Sequence, residues 1–457
     1  MSLLLFALLL ADTPATPAGP ISRGALYGSV AVGQATAEVV PLSLVDAVDR
    51  GLQHNLGLLL AEQAVRGAQG ERLEALSDLL PHLEGRVSAT RQKVSLDAFG
   101  FSGFPGLPTL IGPFNVVDAR VSLTESLLDF EAIHKEREKK EKLAAARFTR
   151  QDWRALVVLA CGNLYFQALA EDSRIEAGRA QLATAQALAA LARDRKSAGL
   201  VPALDVLRAE VEAKTRQQEL IVAQNRFARA KLLLARTIGL PAGQEFRLTD
   251  RMAEAPPPAV DLGLALATAY EHRDDWHSAE AEVRAAEAHR RSAQGEGLPG
   301  IDVNLDYGAI GQSFGGTNAT YALGAALRVP LFQGEKVRAK VLQADAELQA
   351  KRAALEDFRG RVDFEVRTAV LDLTAARERV EVTGSGLALS REQLRQAQDR
   401  FEAGLANNID VVQAQDAFAA ANESYIASLY DQSVTRAAMA RALGVVEAAY
   451  KELVRGE

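Results

Sequence analysis

The chain has 457 residues, 48% of them hydrophobic and 24% charged, with a net charge of −7 and a single cysteine, Cys161. That length holds a sizeable core, while one cysteine excludes an intrachain disulfide or a Cys-based zinc cluster. The acidic balance excludes the basic surface that nucleic-acid binding needs, so no nucleic-acid partner is expected.

At the N-terminus, Leu3 to Leu10 is an unbroken apolar run. It is far short of the ~20 residues that span a bilayer as a helix but suits the core of an export signal. No Lys or Arg precedes Arg23, so the usual basic flank is missing. Residues 1–19 are read as a signal peptide and 20–41 as an N-terminal linker. No later segment reads as long and charge-free enough for a membrane helix, so strands must carry any membrane-spanning part.

The rest of the chain is built twice. His54 and Pro81 recur as His272 and Pro299, both 218 positions on. Ala198-Gly199-Leu200 and Asp205-Val206 recur as Ala403-Gly404-Leu405 and Asp410-Val411, now 205 positions on, as do Gly239 and Gly444. A fixed period interrupted by a single step is the mark of a duplication with one loop insertion. The first structural repeat covers 42–250, a connector containing Pro256, Pro257 and Pro258 covers 251–260, and the second repeat covers 261–446, followed by a tail, 447–457.

Each repeat reads as helix, β-hairpin, very long helix, short break, helix. The first helix is expected from about Val45 to Leu80, with Leu52, Leu56 and Leu59 on one face, and Pro81 ends it. A β-hairpin follows over about 82–127. Proline-free helices are expected from about Glu131 to Lys196 and from about Glu335 to Ala403. At 1.5 Å per residue each would be ~100 Å long. Val341, Leu348, Leu355 and Val362 fall every seventh residue, as do Val206, Ala213, Leu220, Phe227 and Leu234. That spacing is a coiled-coil seam.

The second hairpin is expected over about 300–331. There Ile301, Val303, Leu305, Tyr307 and Ala309 alternate with Asp302, Asn304 and Asp306. Tyr321 to Val329 alternates likewise, as does Val117 to Thr124 in the first copy. Strands apolar on one side and polar on the other fit a transmembrane barrel with a wet lumen; the competing reading is an amphipathic sheet on a soluble core. Four strands cannot close a barrel, and open edges in lipid leave unpaired backbone groups. The membrane reading therefore demands oligomerisation, with eight strands from two chains or twelve from three. The loop of the first hairpin, about Gln92 to Pro113, is long and carries Phe99, Phe101 and Phe104.

On these features the chain resembles the TolC-type outer-membrane factors over about Leu42 to Gly444. The most specific carriers are Ala198-Gly199-Leu200 with Asp205-Val206-Leu207, and Arg400-Phe401-Glu402-Ala403-Gly404-Leu405 with Asp410-Val411-Val412. The resemblance implies a mixed α and transmembrane β fold, an α-helical periplasmic barrel topped by a twelve-stranded β-barrel shared by a homotrimer. It further implies the exit duct of a tripartite efflux pump in the outer membrane. The implied partners are a periplasmic adaptor (membrane fusion) protein, an inner-membrane transporter and outer-membrane lipid, with solutes passing without chemistry.

Gly199 and Gly404 stand where helices reverse and supply φ > 0. Asp205 and Asp410 lie at the starts of the following helices, and two roles stand open for them. They cap free N–H groups, or, at a symmetric constriction, they form a carboxylate ring that draws cations. In the TolC-type pattern a Tyr–Arg–Asp latch and two aspartate rings close the tip. Phe401 matches the tyrosine without its hydroxyl, Ala406 the arginine without its charge, and Asp205 the acidic partner. Asp410 matches the first ring, and Gln413 stands at the second. The latch is therefore lost, and gating rests on other contacts.

Neither an enzyme nor a cofactor is expected. His54, His82, His134, His272, His277 and His289 lack metal-ligand spacing, and no phosphate-cradling loop or nucleophile elbow is present. Two alternatives remain: the exit duct of a type I protein secretion system, which the sequence does not separate from efflux, and a secreted coiled-coil scaffold or adhesin.

Overall fold

The computed structural model describes residues 23–100, 108–252, 260–406 and 408–455. The expected export signal, Phe101 and Phe104 of the hairpin loop, and the three connector prolines lie outside the described residues. The first copy runs β1 (Val40–Leu42), α1 (Leu44–His54), α2 (Leu56–Ser77), β2 (His82–Ser95), β3 (Leu110–Leu128), α3 (Phe130–Ser197), α4 (Ala203–Thr237) and β4 (Phe246–Leu248). The second runs α5 (Leu262–His272), α6 (Asp274–Gly295), β5 (Gly300–Gly311), β6 (Thr317–Arg328), α7 (Lys336–Glu402), α8 (Asn408–Ala442) and α9 (Val446–Arg455). The chain divides into two compact units, one of residues 1–64, 148–277 and 358–457, the other of 65–147 and 278–357.

The helix expected from Val45 to Leu80 is two helices, interrupted at Asn55, whose backbone is extended (φ −65°, ψ 130°). Asn55 is fully buried. Its amide nitrogen donates to the Leu26 carbonyl at 2.6 Å, and its side-chain oxygen accepts from the Gly57 N–H at 2.9 Å. Side-chain bonds thus replace the helical ladder for one residue. The same break recurs 218 positions on at Arg273 (φ −75°, ψ 112°). Apolar periodicity runs straight through both positions, so the pattern alone does not show them.

In the first unit the main core gathers Leu42, Leu44, Val48, Val157, Cys161, Tyr165, Leu234, Ile238, Val446 and Tyr450. The Tyr165 hydroxyl bonds the Leu42 carbonyl at 2.9 Å and the Asp250 carboxylate at 2.7 Å. Part of the expected linker and tail is structured. β1 pairs in parallel with β4, and α9 packs Val446 and Tyr450 into this core, with Tyr450 bonded to Asp49 at 3.0 Å. Contrary to expectation, α3 contains an 18-residue stretch apolar enough to cross a membrane, but 67% of it is buried. Val157, Cys161, Leu164 and Tyr165 on α3 fill this core, which explains the apolar run without lipid.

In the second unit the helical segments meet through small residues and ion pairs. Ala281, Ala285, Ala286, Ala288 and Ala293 are buried along α6. A Cβ on Gly295 would strike the Phe130 main chain at 2.6 Å, so only glycine permits that approach. Around the small residues lie Lys139–Glu71, Arg284–Glu141 and Lys351–Glu282 pairs at 2.7, 2.7 and 2.5 Å. Exposed pairs of this kind contribute about 0–1 kcal/mol each, so they set register more than stability.

The sheet of this unit has the strand order β2-β3-β5-β6, antiparallel throughout. Its register aligns the alternation expected from sequence: Leu83, Leu123, Leu305 and Leu323 form one row, and Gly85, Val121, Tyr307 and Tyr321 the next. The intervening row, Glu84, Ser122, Asp306 and Ala322, lies on the opposite face. Leu83, Tyr321 and Leu323 are 70%, 80% and 72% exposed. β2 and β3 stay paired to Ser95 and Leu110, past a register shift between Gln92 and Val94. The connection between them is therefore shorter than Gln92 to Pro113.

Candidate functional site

Both helix reversals are built alike. At the first, Leu200 N–H bonds the Arg195 carbonyl at 2.8 Å and Gly199 N–H bonds the Lys196 carbonyl at 2.9 Å. At the second, Leu405 N–H bonds the Arg400 carbonyl at 2.8 Å and Gly404 N–H bonds the Phe401 carbonyl at 3.0 Å. This paired closure satisfies the last carbonyls of a helix and needs a left-handed residue. Gly199 and Gly404 have φ of 74° and 75°, and space for a Cβ is open at both. Glycine is required there for conformation alone. Leu200 and Leu405, one residue on, are each 73% exposed.

Behind the turns Leu188, Ala189, Ala192, Val206, Ala209, Phe401 and Val411 form a small core joining α3, α4, α7 and α8. Phe401 is buried within it, and the Arg195 guanidinium stacks on its ring at 4.6 Å. Arg195 also donates to the Phe401 and Glu402 carbonyls, each at 2.7 Å. One side chain from the end of α3 thereby caps the end of α7, where a cation meets the negative helix terminus. Asn408, fully buried at the start of α8, donates to the Asp205 carbonyl on α4 at 2.8 Å.

About three turns further along α4, the buried Arg216 bonds Glu212 at 2.6 Å, Glu219 at 2.9 Å, and Asp416 on α8. Burial alone would lower the pKa of Arg216, but the bond to Glu219 and the charge of Glu212 outweigh it and hold it up. Burial pushes the Glu212 carboxyl above its ordinary value, with Arg216 opposing. A buried pair of this kind is weak evidence of net stability, but removing one partner strands a charge.

The sequence candidates take distinct places. Asp205 lies in the first turn of α4, whose N-cap is Pro202 with no side-chain cap. Its carboxylate pairs with Arg208 at 3.5 Å, so side-chain capping is not its contact. Asp410 lies in the first turn of α8, and both it and Gln413 are on that helix's exposed surface. Ala406 is half-buried. Phe401 belongs to the tip core and not to a lining surface. Sequence reasoning missed Arg195, Asn408 and Arg216. The last two had a signal, since they stand 205 positions before or after alanines, Ala421 for Arg216 and Ala203 for Asn408. Departures from the repeat mark contacts between unlike helices.

A groove of about 640 Å³ between α3, α4 and α8 is lined by Arg174, Gln181, Arg216, Glu219, Asp416 and Glu423. Two of its three arginines are already engaged: Arg174 with Glu171 and Glu423, Arg216 with Glu219 and Asp416. Among the described residues, no three His, Cys, Asp or Glu side chains gather as a metal ion would need. The arrangement offers a charged, fixed surface at a helical tip.

The sequence profile of the outer membrane efflux protein family matches residues 47–240 and 265–445, one segment per repeat. The pyoverdine export outer membrane protein OpmQ of Pseudomonas aeruginosa is 26% identical over 453 residues, covering 93% of this chain and 92% of its own. The toluene efflux pump outer membrane protein TtgC of Pseudomonas putida is 21% identical, covering 88% and 83%. Among solved structures, the outer membrane protein VceC from Vibrio cholerae superposes with a TM-score of 0.75 at 22% identity, covering 88% of this chain and 96% of that one.

Proposed function

Because the chain belongs to the outer membrane efflux protein family, we propose that it forms the outer-membrane exit duct of a tripartite efflux pump, passing small organic solutes without chemistry. Its site is the outer membrane. The observation that carries this reading is the sheet. Four strands present one apolar face and one polar face in a single register, with β2 and β6 at its edges. An apolar face of that extent needs cover, and lipid on that side accounts for leucine and tyrosine at 70–80% exposure. Edges in lipid need partners. Three chains, pairing β6 of one with β2 of the next, would close twelve strands. Apolar residues exposed on α7, such as Phe364 and Leu371 at 69% and 70%, would then be covered by sister helices.

In this assembly the exposed Asp410 and Gln413 face the axis near the periplasmic end, while Leu200 and Leu405 project from the two turns toward an adaptor protein. The intrachain ties of Arg195 and Arg216 hold the tip in place of the missing latch. Three Asp410 carboxylates on one axis attract cations to the entrance. The purified protein is expected to conduct ions in planar bilayers and to be blocked by multivalent cations from the periplasmic side, with Asp410→Asn weakening block roughly tenfold, equal to about 1.4 kcal/mol. A protein that never conducts contradicts the duct. One that conducts with Asp410→Asn block unchanged keeps the duct and removes Asp410 from its lining.

A further inference from the structure

Away from the tip, the first unit holds a cluster of charges where the α5–α6 break meets α3, α7 and α8. The Arg441 Nη2, in the last turn of α8, donates to Asp152 on α3 and to Asp275 Oδ2 at 3.1 Å. Asp275 also accepts from Arg273 Nε at 3.0 Å, Arg273 Nη2 at 2.8 Å and the Trp276 N–H at 3.0 Å. The Arg273 side chain is only 3% exposed, and Asp152, Asp275 and Arg441 are each below one fifth. The backbone is equally close: a Cβ on Gly444, just past α8, would lie 2.6 Å from the His272 main chain.

The charges do not balance. Facing Asp152 are Arg441 from α8 and Arg273, Asp274 and Asp275 from the break and α6. Behind Arg273 stand Glu365 at 2.7 Å and, from the exposed side, Arg361 at 3.9 Å from Glu365, both on α7. His277 and Glu447 flank Asp274, and Glu447 is neutralised by Arg154. Four carboxylates (Asp152, Asp274, Asp275, Glu365) therefore meet three guanidiniums. An excess negative charge in a poorly solvated site is relieved most directly by a proton. The proton goes to the buried carboxylate with the weakest set of donors. Asp275 has two arginines and a backbone N–H; Asp152 has one nitrogen of Arg441, which it shares.

We propose that Asp152 and Asp275, clasping Arg441 between them, form a buried proton-binding site that fastens α3 and α8 to the α5–α6 break. With the proton on Asp152, three guanidiniums, Arg273, Arg361 and Arg441, face three carboxylates, Asp274, Asp275 and Glu365. Released, the proton leaves two carboxylates competing for one Arg441 nitrogen.

The electrostatics agree with the geometry. Burial, opposed by Arg441 and reinforced by Asp275, raises Asp152 to about 6. Burial pushes Asp275 upward too, but the Arg273 bond and the two arginine charges outweigh it and hold it at about 2. A carboxyl raised in the folded state contributes stability that is present below its ordinary value and lost as pH rises through about 6. Asp275 acts in the opposite sense, losing its contribution only as pH falls through about 2, well below that step.

The full-length protein in detergent is followed by thermal unfolding from about pH 3 to about pH 8, and by the infrared carbonyl band of protonated carboxyl groups. The wild type is expected to lose thermal stability in a step as pH rises from the ordinary carboxylate range, 3.8, to about 6, to level off above that, and to show a carboxylic-acid band on the acid side. Asp152→Asn, which keeps the shape of the protonated group, is expected to lose both the step and that band and to exceed the wild type in stability at the alkaline end. A step that survives in Asp152→Asn belongs to another group, His277 included, and overturns the proposal, as does a band that Asp152→Asn leaves in place. Should Asp152→Asn not assemble, Asp274→Asn serves: removing one neighbouring negative charge moves the step to lower pH, and an unmoved step overturns the proposal.

Discussion

Gly404 and Gly444 both adopt a left-handed backbone, with φ of 75° and 78°, yet they stand in different surroundings. Space beside Gly404 is open, whereas a Cβ on Gly444 would press on the His272 and Arg273 backbone at 2.6–2.7 Å. Gly404→Ala is therefore expected to lose only the left-handed penalty, about 1–2 kcal/mol. Gly444→Ala adds an overpacking term of about 1–3 kcal/mol. Denaturant unfolding of the two variants reads the difference, and equal losses would contradict the packing around the α5–α6 break. The glycines were legible in the sequence because a helix reversal makes a local demand on φ. Arg195 was not, since its partners, Phe401 and Glu402, are 206 and 207 positions away. Nothing in its own neighbourhood separates it from the other charged residues of a long helix. Asp205 was legible as the start of a helix, but its salt-bridge partner Arg208 was not foreseen.

The elements divide the same way. Long helices without proline and strands of strict alternation are visible because each obeys one period over many residues, and α3, α4, α7 and α8 lie close to where the pattern places them. The breaks at Asn55 and Arg273 are single residues held by distant groups, Leu26 for one and Glu365 for the other. A period of 3.6 does not register them. The apolar stretch in α3 shows the converse, because hydropathy alone does not separate a buried core helix from a membrane span.

At the sheet, alternation yields a sharp contrast between neighbours. Leu323 lies in the apolar row with Leu305, while Ala322 pairs with Asp306 in the polar row. Leu323→Arg is expected to destabilise the membrane-inserted state by up to about 2–4 kcal/mol, whereas a lumen-side charge is tolerated. The yield of assembled protein in the outer-membrane fraction should therefore fall for Leu323→Arg and hold for Ala322→Arg. Equal yields would mean that this face does not meet lipid.

At the scale of the whole molecule, duplication explains why one chain carries two hairpins and two helical tips and still leaves its sheet unclosed. The sequence period exposes the two copies, but closure depends on surfaces between chains, which no pattern within one chain specifies. What the chain does show is need: unpaired strand edges, an exposed apolar sheet face, and apolar residues on α7 and α4 such as Val382, Leu389 and Leu232 at 70%, 73% and 69% exposure. The most direct test is a cryo-electron microscopy reconstruction of the protein extracted from outer membranes into nanodiscs. The account predicts a threefold particle in which β6 of each chain hydrogen-bonds β2 of its neighbour around an open axis, with Asp410 lining the passage. A particle whose sheet edges remain unpaired, or whose axis is filled by packed side chains from end to end, would contradict it.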